Sequence, residues 1–154
     1  MTISEAVAAI ERLRAAGKTI VFTNGVFDLL HVGHLRYLQQ ARAMGDALIV
    51  GLNSDRSVRA NKGAGRPITS EVERVEILEA LTCVDGVVVF DEDTPHAIIT
   101  ALQPDVLVKG ADWGPDKIVG RDVVEARGGA VVRIALAEGF SSTRLIDRVR
   151  GADQ

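Results

Sequence analysis

Cysteine is almost missing from this chain. The single thiol, Cys83, excludes an internal disulfide, and its apolar neighbours Leu81 and Val84 mark it as a buried side chain rather than a nucleophile. No uncharged apolar run approaches the roughly 18 residues that a membrane helix needs. The first residues, with Glu5, Glu11 and Arg12, lack the basic-then-apolar form of a signal peptide. A soluble, cytoplasmic protein is expected. A basic excess is lacking too: 18 lysines and arginines face 21 acids, a formal charge of −3, which disfavours broad nucleic-acid binding. Neither nucleic acid nor membrane is expected as a partner, so any phosphate affinity must come from local groups. Repeats, low-complexity segments and linkers are absent. With 154 residues, 47% of them hydrophobic, one domain over residues 1–154 with a real core is expected.

What is present alternates. Apolar runs at 19–22, 47–52, 86–90, 105–108 and 130–134 read as buried strands. Between them lie helical patterns. Thr2 and Glu5 have capping-box spacing for a first helix that Gly17 ends. A second helix runs from the 31–34 region to about Met44, stopped by Gly45. Thr69 or Ser70 caps a third, carrying Val72, Val75, Ile77, Leu78 and Leu81. Thr94 as cap, with Pro95 at the first helical position, starts another through Ile98, Ile99 and Leu102. Residues 117–126 form one more, and Ser141, Ser142 or Thr143 caps a last one with Leu145, Ile146 and Val149. Residues 57–68 read as a glycine-rich loop with three cations, Arg59, Lys62 and Arg66. Strands alternating with helices indicate a doubly wound α/β layer of about five mostly parallel strands with helices on both faces.

Polar residues gather just past the carboxyl ends of these strands, where open α/β sheets bind ligands. The densest group runs from Thr23 to His34, a strand-to-helix turn. Helix amides near Val32 to Leu35 lack carbonyl partners and would meet a phosphate. His31 and His34 lie one helical turn apart on one face, and Gly25 and Gly33 allow close backbone approach. A metal site would want His-Glu-x-x-His spacing or a cysteine partner, and neither is there. The second strand ends in Asn53-Ser54-Asp55. Lys62 and Arg66 stand on a mobile glycine loop of neither Walker A nor dinucleotide spacing, either solvated or on phosphate. Arg74 can pair with Glu71 or Glu73 on a wet face. The acids at 91–93 have no second cluster to complete a metal site. His96 at a helix start reads as structural. The fourth strand ends in Lys109-Gly110-Ala111-Asp112-Trp113, where Asp112 is suited to ribose hydroxyls and Trp113 to a base or to plugging the pocket.

Gly25-Val26-Phe27-Asp28 followed by His31-Val32-Gly33-His34 resembles the signature of the HxGH nucleotidyltransferase superfamily, whose fold is Rossmann-like. Lys62-Gly63 with Arg66-Pro67, Asp91 with Asp93-Thr94-Pro95, and Lys109-Gly110 with Asp112-Trp113 resemble the branch that adenylylates D-glycero-β-D-manno-heptose 1-phosphate. Leu136 stands where glycerol-phosphate cytidylyltransferases carry an arginine, which argues against that branch. The resemblance implies attack of a sugar 1-phosphate on the α-phosphorus of ATP, giving ADP-heptose and pyrophosphate for lipopolysaccharide core or other heptose glycans. It implies His31, His34 and Lys62 as catalytic groups. Thr23, Asn24, Gly25, Val26, Phe27 and Gly33 would serve the nucleotide from the first turn, with Lys109, Gly110, Asp112 and Trp113 from the fourth strand. Ser141, Ser142 and Thr143 resemble a segment that donates to nucleotide phosphates. Asp28, Asn53, Asp55, Arg66 and Arg74 would serve the sugar phosphate, Asp28 also bracing its turn. No protein metal ligands are expected; Mg2+ would be bound mainly through ATP. A homodimer and a link to a heptose kinase are implied as well. A cytidylyltransferase, another small-phosphate adenylyltransferase, a transfer-RNA synthetase fragment and a nonenzymatic nucleotide-binding module are the alternatives, and the last would not require both histidines and Lys62.

Overall fold

The apolar runs become five strands in a computed structural model that describes residues 1–151: β1 (Ile20–Gly25), β2 (Ala47–Asn53), β3 (Gly86–Phe90), β4 (Val106–Gly110) and β5 (Ala130–Ile134). They pair in the order β3-β2-β1-β4-β5, each pair parallel. Parallel neighbours need crossovers, and helices supply them. The helices are α1 (Ile3–Ala15), α2 (Val32–Arg42), α3 (Asp55–Lys62), α4 (Glu71–Glu79), α5 (His96–Leu102), α6 (Arg121–Ala126) and α7 (Ser142–Gly151). This is the doubly wound, Rossmann-like layer expected from the alternation.

Alternate side chains of each strand feed two cores. Ile20, Phe22, Ile49, Val88 and Leu107 pack with Ile10 of α1, Ile98, Ile99 and Leu102 of α5 and Val124 of α6. Val21, Leu48, Val50, Val87 and Val108 pack with Leu38 and Ala41 of α2 and Leu78 of α4. Burial on both faces is why the strands read as continuous apolar runs rather than as an alternating pattern. Cys83 is a free, buried thiol in the second core, and burial raises its pKa. No helix among the described residues is long and apolar enough to cross a membrane.

The strand order reverses at β1. α2 leads from β1 to β2 on one side, while β4 lies on the other, so the carboxyl ends of β1 and β4 flank a crevice.

Three local expectations change. Residues 55–62 are helical rather than part of a loop, because the Ser54 hydroxyl caps the Ser57 amide at 3.1 Å and the helix runs until Gly63 takes φ 97. With only Ser57 and Val58 buried, this helix carries no apolar stripe to reveal it. Pro95, not Thr94, is the N-cap of α5, and no side-chain cap bond is made there. The 117–126 helix shrinks to α6, because Gly120 at φ 90 separates it from a single 3₁₀ turn, Pro115–Lys117.

Phe22 lies fully buried over Gly51, where an added Cβ would stand 2.6 Å from the ring. Phe22→Ala is expected to cost about 3–5 kcal/mol in urea unfolding. A loss under about 1 kcal/mol, the scale of a surface change, would contradict this packing.

Candidate active site

The crevice begins where β1 runs out. Gly25 leads into a turn in which Phe27 and Leu29 both take φ 49, a left-handed conformation that ordinary side chains adopt only when their surroundings impose it. What imposes it is Asp28 between them. Its carboxylate is buried and accepts from Ile68 N–H at 2.8 Å, Thr69 N–H at 3.0 Å, the Thr69 hydroxyl at 2.8 Å and Arg66 Nε at 3.0 Å. Burial pushes this carboxyl's pKa up, and the four donors outweigh it and hold the pKa below the usual range. Its backbone oxygen also accepts from the Ser142 hydroxyl at the start of α7.

Arg74 works beside it. Only 1% exposed, it donates to Thr69 O at 3.1 Å, to Val26 O and Asn53 O at 2.8 Å each, and to Asp55 Oδ1 at 2.8 Å. A wet-face pairing with Glu71 or Glu73 is therefore not what this arginine makes. Asn53 Nδ2 bonds Ser57 Oγ at 3.0 Å. Asp28, Asn53, Asp55, Arg66 and Arg74 thus spend their polar groups on one another, on Ser57 and on the backbone of the 26–28 and 68–69 segments. They pin that backbone in place.

The two histidines form a reciprocal cap on α2. His31 Nδ1 accepts from Gly33 N–H at 3.1 Å and His34 N–H at 3.4 Å, while His34 Nδ1 accepts from His31 N–H at 3.2 Å. The rings stack with centroids 3.8 Å apart, planes 21° apart. A Cβ on Gly33 would stand 2.9 Å from the His31 ring and 2.8 Å from Phe140 Cβ, so glycine makes room for the ring itself. With each Nδ1 accepting a backbone N–H, the proton of each neutral ring is assigned to Nε2, the nitrogen left free to donate. Burial, then the neighbouring His31, pushes the pKa of His34 down to about 4; burial also lowers that of His31. Both are neutral donors at pH 7.

The helix amides fare differently from the sequence expectation. Gly33 and His34 N–H are taken by His31 Nδ1, and Leu35 N–H by His31 O at 3.1 Å. Of the four first amides, Val32 N–H alone has no partner among the described residues. The groups left free to donate at this helix start are therefore Val32 N–H and the imidazole Nε2–H groups.

Across the crevice, Lys109 Nζ reaches back to Asn24 at 3.4 Å from Oδ1 and lies 5.0 Å from the ring centre of Trp113. Burial pushes its pKa down to about 8 against the opposing pull of Asp112. Asp112 and Trp113 are exposed at the mouth. Thr23 lies below it, fully buried, its hydroxyl held 2.7 Å from Tyr37 Oη and donating to Val108 O at 2.9 Å; it fastens β1, α2 and β4. Lys62 is exposed on the last turn of α3, without an ion pair among the described residues, and the segment after it is the one fastened to Asp28. Ser141 Oγ caps Arg144 N–H at 3.0 Å, and Thr143 is exposed.

Sequence reasoning missed Phe140, whose ring is stacked 6.3 Å from that of His31, and Arg148, which with Arg144 lines a cavity beside His31. The spacing of the arginines, four residues apart on a capped helix, was the readable sign.

Residues 22–148 match the family described as cytidylyltransferase-like. The bifunctional protein HldE of Syntrophotalea carbinolica is 58% identical over 143 residues, 93% of this chain and 29% of that protein. The protein of the same name from Geotalea uraniireducens is 56% identical over 147 residues, 95% of this chain and 30% of its own. The chain thus spans under a third of the length of these relatives. Among solved structures, a lipopolysaccharide core biosynthesis protein from Thermoplasma volcanium superposes with a TM-score of 0.68 at 30% identity, covering 79% of this chain and 100% of that one. With a family match over most of its length, this chain belongs to the cytidylyltransferase-like family.

Proposed function

We propose that the chain is a single nucleotidyltransferase domain that transfers AMP from ATP to D-glycero-β-D-manno-heptose 1-phosphate, giving ADP-heptose and pyrophosphate for lipopolysaccharide core or related glycans. The observation that carries this reading is the reciprocal histidine cap, with two neutral Nε2–H donors at the sheet's switch crevice. Similarity over more than nine-tenths of the chain to the HldE proteins, and to a lipopolysaccharide core biosynthesis protein, supports the sugar branch over cytidylyl transfer. By resemblance, the chain pairs as a homodimer and receives its sugar 1-phosphate from a heptose kinase.

The chemistry asks little of a base. A phosphate monoester loses its second proton near pKa ~6, so the nucleophile arrives as an anion. Its oxygen bonds to the α-phosphorus as the bond to the bridging oxygen breaks. The barrier lies in gathering negative charge at phosphorus, which oriented donors and cations lower. His31 and His34 donate from Nε2 to the α-phosphate, Lys62 bridges it to the sugar phosphate, and the Gly25 to Phe27 amides with Ser141, Ser142 and Thr143 receive the rest of the triphosphate. Asn24, Lys109, Gly110, Asp112 and Trp113 hold the nucleoside end. Asp28, Asn53, Asp55, Arg66 and Arg74 position these groups from behind.

Magnesium enters with ATP as part of the substrate. Both Asp28 oxygens already accept N–H and O–H donors, and among the described residues no three His, Cys, Asp or Glu side chains gather to hold a metal. By the resemblance, the ion's ligands are mainly phosphate oxygens and water.

His34→Ala and Lys62→Ala are each expected to lower turnover by ~10² or more with the fold intact, the scale of losing one transition-state donor. Pyrophosphate release at near wild-type rate from either folded variant would remove that residue from the mechanism. Asp28→Asn, which weakens the hold on residues 66–69, is expected to cut kcat/KM for the sugar phosphate by ~10-fold or more, as small misplacements of reacting groups do. An unchanged value would show that the loop positions itself. Titration gives a further check. Between pH 6.5 and about 4 the unfolded chain takes up a proton at His34 that the folded chain refuses, so stability falls as pH drops through that window. Urea unfolding of His34→Gln should show a flatter curve there, and an identical one would exclude a depressed pKa.

A further inference from the structure

Four rings follow one another beside the first turn of α2. Phe27 meets His34 edge-on with centroids 5.5 Å apart, His34 stacks on His31 at 3.8 Å, and His31 stacks on Phe140 at 6.3 Å with planes 23° apart. Both phenyl contacts lie in the range where aromatic pairs attract. The two ends of this row are held differently. Phe27 is 8% exposed and belongs to the second core. Phe140 is 43% exposed and comes from the irregular segment between β5 and α7. Three features bring it back to α2. Gly139 takes φ 83, the Ser142 hydroxyl donates to Asp28 O, and Gly33 leaves the space, since a Cβ there would stand 2.8 Å from Phe140 Cβ. Arg36 of α2 lies over the outer ring, its Cζ 5.7 Å from the centroid.

Hydrogen bonds alone do not fix the plane of His31. Its Nδ1 accepts Gly33 N–H at 3.1 Å and His34 N–H at 3.4 Å, so both contacts are made at one ring atom and the ring can still tilt about it. The neighbours packed on its faces, His34 and Phe140, are what resist that tilt. We propose that Phe140 is a positioning residue for the transfer, holding the plane of His31 so that its Nε2–H keeps one direction, an inference that rests on the adenylyl-transfer reading. Phe140 acts through the imidazole and needs no contact with the substrate. A donor aimed in advance at the charge developing on the α-phosphate costs no reorganisation when the reaction occurs. The same ring keeps water from His31. Burial lowers the pKa of that imidazole, so a smaller side chain at this position raises it toward the ordinary value. Asp28, His34, Arg36, Arg144 and Arg148 are the charged and titratable groups around the two imidazoles. None of them is altered by a substitution at Phe140, so the shift reads the lost cover.

The chain has three histidines, which makes the test direct. Their imidazole Cε1–H resonances are followed by NMR against pH in the full chain and in Phe140→Ala and Phe140→Tyr, with circular dichroism melting to show that each variant folds. The His31 midpoint is expected to rise in Phe140→Ala and to return in Phe140→Tyr, which restores the ring. The His96 signal, from α5 on the other face of the sheet, should be indifferent to both changes. In the forward assay Phe140→Ala is expected to lower kcat ~10-fold, the scale of a slightly misplaced reacting group, with KM for both substrates within about twofold. The acid limb of its kcat profile should move to higher pH, and tyrosine should repair both effects. An unchanged His31 midpoint in the folded alanine variant would overturn the role, and so would a loss of kcat that tyrosine leaves in place. A ring-dependent His31 midpoint in a chain that makes no ADP-sugar would uphold the packing and refute the adenylyltransferase reading. ADP-sugar formation at full kcat by Phe140→Ala would do the reverse.

Discussion

One buried carboxylate holds three pieces of this molecule together. Asp28 accepts two backbone amides, a hydroxyl and a guanidinium from residues 66–69, and its own carbonyl takes the Ser142 hydroxyl of α7. A carboxylate taken out of water is costly unless its lone pairs are filled, and here they are filled from a segment 38 to 41 residues away in sequence. The flanking residues, Phe27 and Leu29, hold left-handed conformations that the turn would not keep without this anchorage. Arg74 repeats the device with opposite charge, drawing the carbonyls of Val26, Asn53 and Thr69 onto one guanidinium. The histidine turn, the end of β2 and the chain after Lys62 are therefore tied into one hydrogen-bonded unit.

The parallel sheet decides where that unit sits. Because β2 and β4 flank β1 on opposite sides, the chain leaving β1 and the chain leaving β4 diverge, and Lys109 spans the gap to Asn24. Lys109 is drawn in by neighbours that burial supplies, so its ammonium sits beside an aromatic face and an amide oxygen rather than in bulk water.

Much of this was legible in the sequence. The five strands, the capping box at Thr2 and Glu5, the cap at Ser70 and the histidine turn follow from apolar runs and local hydrogen-bond chemistry, which a single segment carries within itself. What stayed hidden depends on distant segments meeting. Arg74, flanked by acids on a helix, gives no sign that its guanidinium is buried against three carbonyls, and Thr23 gives none that its hydroxyl is spent on Tyr37 and Val108. The short helix α3 was invisible for another reason: it is held by its cap and by Gly63 rather than by an apolar stripe. Phe140 could be read as apolar, yet its stacking on an imidazole more than a hundred residues earlier could not.

The histidine cap also explains why these rings stay neutral. An imidazole that accepts a backbone N–H at Nδ1 has no room for a proton there, so charging His31 means releasing the Gly33 and His34 amides and uncapping α2. The positive end of the helix dipole penalises an imidazolium at the same place. Burial and helix geometry therefore act in one direction, and the depressed pKa of His34 is a property of the fold before any ligand arrives. Each ring is left with a single donor of fixed direction. Such donors stabilise charge where it appears and do not trap the product as a full cation pair would, since charge-assisted bonds are roughly twice as strong as neutral ones. Lys62, Arg144 and Arg148, by contrast, are exposed and make no ion pair with a carboxylate among the described residues.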